Sequence, residues 1–148
     1  YSMMARWYEE LFPVLEELNI GYVAFSPLAN GFLSGKYGKD SVFEAGTDYR
    51  SVMPQFTTEG IDKNASLLAL LQGMAEEKQA TPAQISLAWM LCKKPYIVPI
   101  PGTRKLNRLE ENAGASEILL TKEEVEALDQ ALSSMEMSDV FGGTPTKK

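Results

Sequence analysis

The sequence predicts an α/β fold built on parallel strands, and three observations predict it. Two short apolar runs, 22–25 and 96–98, read as buried strands. Helical periodicity fills the chain around and between them, with apolar residues recurring at steps of three and four. Each strand then runs into a glycine-bearing loop. Strands separated by helices pair in parallel through a right-handed crossover. A parallel pair has both faces covered and sits within a larger sheet. Two strands are too few for that, so the chain reads as a single partial domain over 1–148.

Residues 3–18 place Trp7, Leu11, Val14, Leu15 and Leu18 on one helical face, with Pro13 as a kink. Asn19 and Gly21 stop that helix, and Tyr22-Val23-Ala24-Phe25 follows as the first strand. A Gly-, Ser- and Pro-containing loop then runs from 26 to 60, a length typical of functional lids or disordered segments. Residues 61–78 form a helix through Leu67, Leu68, Leu71 and Met74. Thr81-Pro82-Ala83-Gln84 is a capping box with proline in the first turn, and it launches a helix carrying Ile85, Leu87, Ala88 and Leu91. Pro95 precedes the second strand, Tyr96-Ile97-Val98. A further helix starts at Gly102-Thr103 with Leu106, Leu109 and Ala113 inward. Thr121-Lys122-Glu123-Glu124 is a second capping box, opening a helix through Val125, Leu128 and Leu132. The polar stretch 138–148 reads as a loose tail.

Composition removes several function classes. No run approaches the ~18 apolar residues of a membrane helix, so no membrane association is expected. No cationic stretch followed by an apolar block opens the chain, so no secretory signal is expected. The start at Tyr1 rather than Met makes the chain read as a fragment. A net charge of −6 gives no electrostatic footprint for nucleic acid. One cysteine, Cys92, excludes an intrachain disulfide framework and points to a reducing, cytoplasmic setting. The absence of histidine removes His triads, His metal sites and the commonest general acid/base. The methionines show no metal spacing. Cys92 reads as a core residue, and Trp7 and Trp89 fit helical apolar faces. The pairs Glu9-Glu10, Glu16-Glu17 and Glu123-Glu124 read as solvated faces.

Two loops carry the chemistry. In Phe25-Ser26-Pro27-Leu28-Ala29-Asn30-Gly31, a hydroxyl, exposed amides and a glycine suit close approach of a pyrophosphate. A plain turn accounts for the same residues. Ile100-Pro101-Gly102-Thr103 places a hydroxyl at the expected helix N-terminus, where free amides and the macrodipole favour an anion. Arg104, Lys105 and Arg108 crowd positive charge there, which is unfavourable unless an anion compensates it. The alternative is a solvated basic face balanced by Glu110 and Glu111.

These two stretches resemble a known family. Phe25 through Gly31, continuing as Phe32-Leu33-Ser34-Gly35-Lys36-Tyr37, resembles the strand-seven loop of aldo-keto reductases. Pro99-Ile100-Pro101-Gly102-Thr103 through Arg108-Leu109-Glu110-Glu111-Asn112 resembles their strand-eight phosphate clamp, and Tyr1-Ser2 the end of the sixth strand. The resemblance implies a (β/α)8 TIM barrel with its site at the C-terminal strand ends. This chain would be its C-terminal portion, about strands 7 and 8 with their helices. It also implies an oxidoreductase that moves hydride between NADPH and an aldehyde or ketone.

Carried over by residue, Phe25 stacks on the nicotinamide. Ser26, Pro27, Leu28, Gly31 and Lys36 surround the pyrophosphate. Arg50, in Tyr49-Arg50-Ser51, is the lid arginine. Gly102, Thr103, Arg104 and Arg108 clamp the 2′-phosphate, where a planar guanidinium suits bidentate contact. Glu111 and Asn112 hold adenine and ribose. The family's catalytic Asp, Tyr, Lys and His belong to early strands outside this chain. The expected partners are therefore NADP(H), a small carbonyl substrate in the parent protein, and either the missing N-terminal barrel part or a second copy. Alone, the chain is expected to be inactive. Two other readings stay open: a non-catalytic nucleotide-sensing or interaction module, as in the potassium-channel β subunits, and a degenerate fragment with a structural role.

Overall fold

The computed structural model describes residues 1–140. Strands β1 (Tyr22–Ala24) and β2 (Ile97–Pro99) pair in parallel, with Tyr22 opposite Ile97, Val23 opposite Val98 and Ala24 opposite Pro99. Each lies within one residue of its expected place. Alternation along the strands sends Ala24 and Ile97 into the core and leaves Val23 and Val98 exposed.

The helix expected over 3–18 is broken. A Ser2–Ala5 bridge and a 3-10 turn, Trp7–Leu11, precede α1 (Phe12–Glu17). Pro13 falls in the first turn of α1, where a missing N–H costs nothing, so it marks a start rather than a kink. Of the predicted stripe, Trp7 and Leu15 are partly buried against the core while Leu11, Val14 and Leu18 are exposed; the buried residue of α1 is Phe12, outside the stripe.

The expected 26–60 loop is shaped by short turns, Ala29–Ser34, Tyr49–Val52 and Pro54–Phe56. The expected 61–78 helix is two, α2 (Thr58–Lys63) and α3 (Ala65–Lys78). Buried Asn64 sits at the junction and spends its carboxamide on Ser138. Its Nδ2 donates to Ser138 Oγ (2.8 Å), and Ser138 N donates to Asn64 Oδ1 (3.1 Å). The start of the expected loose tail is therefore held, and Val140 is buried. Residues 141–148 lie outside the described residues.

Helix α4 (Pro82–Lys93) is central and packs on α3 and β2. Its Thr81 capping box forms as expected, and Trp89 is wholly buried. Helix α5 (Leu106–Gly114) begins after Lys105, later than Gly102-Thr103. Leu106, Leu109 and Ala113 are exposed, against expectation. A polar contact helps seat α5 instead: Gln84 Nε2 donates to the Glu111 carbonyl (3.0 Å), and a Cβ at Gly114 would stand 2.9 Å from that nitrogen. Helix α6 (Lys122–Ser134) carries the second capping box and buries Val125, Leu128 and Leu132.

Glu9 is not on a solvated face. Its carboxylate accepts from the Tyr1 hydroxyl (2.6 Å) and Arg6, and pairs with Lys93 at 2.8 Å. Lys93 also binds Asp129, which accepts from Trp89 Nε1 (2.9 Å). This network fastens residues 1–9 to α4 and α6. It is self-consistent because each partly buried charge has an opposite partner. Burial, then the Glu9 hydrogen bond, pushes the Tyr1 phenol far above its ordinary range. The Tyr1 backbone nitrogen in turn donates to the Phe25 carbonyl (3.0 Å), just beyond β1. Among the described residues, no helix is long and apolar enough to cross a membrane.

Candidate functional site

Parallel pairing delivers the loops after β1 and β2 to the same end of the sheet. There they border a cleft of about 880 Å³. Ser26, Pro27, Leu28 and Gly31 line it from the first loop. Gly102, Thr103 and Arg104 line it from the second, Arg108, Glu111 and Asn112 from α5, and Arg50 from the segment between. Two of the sequence-predicted residues are not part of the lining. Phe25 stands at the end of β1, 56% exposed. Exposed Lys36 sits beside α5, its Nζ 3.9 Å from Glu111.

The first loop is backbone-driven. Ser26, Ala29 and Asn30 all have positive φ (51°, 48° and 60°), and Gly31 follows at 92°. Non-glycine residues rarely adopt this region, and runs of them gather where a loop has a task. Gly31 is required twice, by its φ and because a Cβ would crowd the Tyr37 ring at 3.3 Å. The turn is closed by Gly31 N and Leu33 N, both donating to the Leu28 carbonyl.

The second loop differs from expectation. Thr103 does not stand at a helix N-terminus; its Oγ1 accepts from Lys105 N (3.1 Å) and so shapes the turn into α5. The macrodipole therefore points from Leu106, not from Gly102. A Cβ at Gly102 would meet nothing within 4 Å, so the bare backbone faces open space. Arg108 Nη1 donates to Glu111 Oε2 (2.5 Å). Burial opposes ionisation of Glu111, but Arg108 and Lys36 outweigh it and hold the carboxyl below its usual range. Arg104 is exposed and makes no hydrogen bond or ion pair among the described residues.

Arg50 is already engaged. Its guanidinium binds both Asp48 oxygens and the Tyr37 hydroxyl, and lies over the Tyr37 and Phe43 rings at 4.9 and 4.6 Å. Asp48 is drawn down to about 2 by the hydrogen bonds from the Arg50 side chain and backbone. Sequence reasoning missed Tyr37, Phe43 and Asp48 in this role. The one available signal was the Asp-x-Arg spacing, which permits the Asp48 side chain to accept from Arg50 N. It also missed Asn30 on the cleft wall and buried Gln55 behind it.

Residues 1–133 match the sequence profile of the aldo/keto reductase family. The chain belongs to that family. It is 39% identical over 127 residues to aldo-keto reductase str7 of Strobilurus tenacellus, covering 86% of this chain and 38% of the relative. It is 38% identical over 135 residues to probable aldo-keto reductase 1 of Glycine max, covering 91% and 38%. It is 37% identical over 121 residues to aldo-keto reductase yakc [NADP(+)] of Schizosaccharomyces pombe, covering 82% and 35%. The chain thus spans little more than a third of the length of these relatives. Among solved structures, it is similar to a thermostable aldo-keto reductase in complex with the inhibitor epalrestat (TM-score 0.60, 26% identity, 88% of this chain and 37% of that one). It shares its fold with an aldo-keto reductase from Klebsiella pneumoniae in complex with NADPH (TM-score 0.59, 22% identity, 88% and 36%).

Proposed function

We propose that this chain is the C-terminal, cofactor-gripping portion of an NADP-dependent aldo-keto reductase barrel, with β1 and β2 as about its seventh and eighth strands. The observation that carries this reading is the convergence of the two loops on one cleft, with Arg104 on its wall and unpaired among the described residues. The donor set fits a phosphorylated dinucleotide. Ser26 and Thr103 supply hydroxyls, Arg104 and Arg108 supply guanidiniums, and Gly102 leaves space that a side chain would fill. The volume is within the ~300–1,000 Å³ usual for cofactor sites. The relatives point the same way: yakc carries NADP(+) in its name, and the Klebsiella protein was crystallised with NADPH.

In this reading the bound cofactor supplies the hydride for an aldehyde or ketone. This chain binds and orients it. Ser26, Pro27, Leu28 and Gly31 face the pyrophosphate, and Lys36 adds positive charge from outside the lining. Thr103, Arg104 and Arg108 take the 2′-phosphate, and Glu111 fixes the Arg108 fork. Glu111 and Asn112 also address adenine and ribose. Phe25 offers an exposed ring to the nicotinamide. Arg50 serves the site by bracing the segment that borders the cleft, since its own charge is shared with Asp48. The proton that a reduced carbonyl takes up comes from residues outside this chain.

The test is paired titration of NADPH and NADH against the full chain and its Arg104→Ala variant. A charge-assisted phosphate contact contributes about 1.5–3 kcal/mol, so NADPH affinity should fall roughly 10- to 100-fold. NADH affinity should barely change. Equal losses for both would contradict the 2′-phosphate role.

A further inference from the structure

Behind the cleft wall lies a polar side chain that the cofactor reading does not use. Gln55 is fully buried, between Met53 and Phe56 in sequence and under the first loop in space. Its Nε2 donates to the Ala29 carbonyl (3.4 Å) and to Asn30 Oδ1 (3.4 Å), and lies 3.8 Å from Met53 Sδ. Its two oxygen acceptors belong to the residues whose backbones are left-handed, Ala29 at φ 48° and Asn30 at φ 60°. A buried carboxamide is retained only where its hydrogen bonds are spent on something. The two bonds from Nε2 are spent on the part of the loop with least intrinsic preference for its own shape, since alanine seldom adopts this region.

We propose, resting on the reading of the cleft as a dinucleotide site, that Gln55 is the positioning residue of the pyrophosphate loop. Its carboxamide holds the Ala29–Asn30 turn left-handed from behind, which keeps the Gly31 end of the loop presented to the cleft. The chemistry follows from the donor. Two acceptors converge on one N–H₂ group, so a side chain of similar size without that group fills the space and leaves the turn unsupported. Because the pyrophosphate is common to both dinucleotides, Gln55 acts on NADPH and NADH alike, unlike Arg104.

The experiment uses the full chain with Gln55→Met, which roughly preserves side-chain volume, and with Gln55→Met/Ala29→Gly, which removes the cost of positive φ at residue 29. Amide exchange of Gly31 and Leu33 is read first, without ligand. Loss of the holding bonds should speed it about tenfold. The glycine variant should return it toward the parent value, while the thermal midpoint of the two variants stays similar. Unchanged exchange in Gln55→Met, or no recovery with glycine, overturns the proposal whether or not the chain binds a dinucleotide. Titration then follows, with NADPH and NADH expected to weaken by the same factor. Selective loss of NADPH would also overturn it, whereas no binding of either by the parent chain would count against the cofactor reading alone. If Gln55→Met does not fold, the parent chain still decides. Its Gln55 carboxamide protons should exchange slowly and lie close in space to Asn30, and fast exchange or no such proximity would contradict the proposal.

Discussion

Arg50 shows how a residue found by pattern can have partners that the pattern does not name. The resemblance marks it as a lid arginine, and it does line the cleft. Its charge, however, is met by Asp48 and its plane by two aromatic rings. None of that partnership is periodic, so hydrophobic spacing carries no trace of Tyr37 or Phe43 as its neighbours. Glu9 was hidden for the same reason: its partners Tyr1, Arg6 and Lys93 are brought together only by tertiary packing. The Asp48 pair gives a pH prediction. Its folded value of about 2 is depressed below the ordinary 3.8 by the Arg50 hydrogen bonds. The support it gives is therefore complete above 3.8 and lost as pH falls through about 2. Asp48→Asn should reproduce that loss at neutral pH. Limited proteolysis should then cut within 37–53 several-fold faster, with the helical segments unaffected. An unchanged cleavage rate would refute the role.

At the scale of elements, local chemistry was legible and face assignment was not. Both capping boxes form where Thr81 and Thr121 announce them, because each is a bargain between residues three apart. The two strands appear in their expected runs and orientation. The start of α5 was misplaced because Thr103 hydroxyl chemistry looks alike in a helix cap and in the turn it makes to Lys105. Period alone places its leucines inward, yet Leu106 is 70% exposed. Period names a stripe; only the surrounding elements decide whether it is covered. The capping claim is checked by Thr81→Ala. The helix it opens is the packing centre, so losing the cap should cost about 1 kcal/mol, read as a lower denaturant midpoint with an unchanged slope. A null effect would mean that α4 is held by its neighbours without its cap.

At the scale of the whole molecule, the sequence motifs converge because two parallel strands end on the same side. The family assignment was legible in Phe25 through Tyr37 and Pro99 through Asn112, and the match over residues 1–133 agrees with it. The sheet face bearing Val23 and Val98 is exposed, as are Phe25 and Ile100 beyond the strands. That accords with a chain spanning little more than a third of its relatives. The central claim is that these two loops together grip a 2′-phosphorylated dinucleotide. The most direct measurement is a titration of the full chain with NADP(+), followed residue by residue through backbone amide chemical shifts. The account predicts saturable shifts in both Ser26 to Gly31 and Gly102 to Arg108, with those at Arg104 and Arg108 much reduced when NAD(+) is used instead. Shifts confined to one loop, shifts elsewhere on the chain, or identical responses to the two dinucleotides would contradict it.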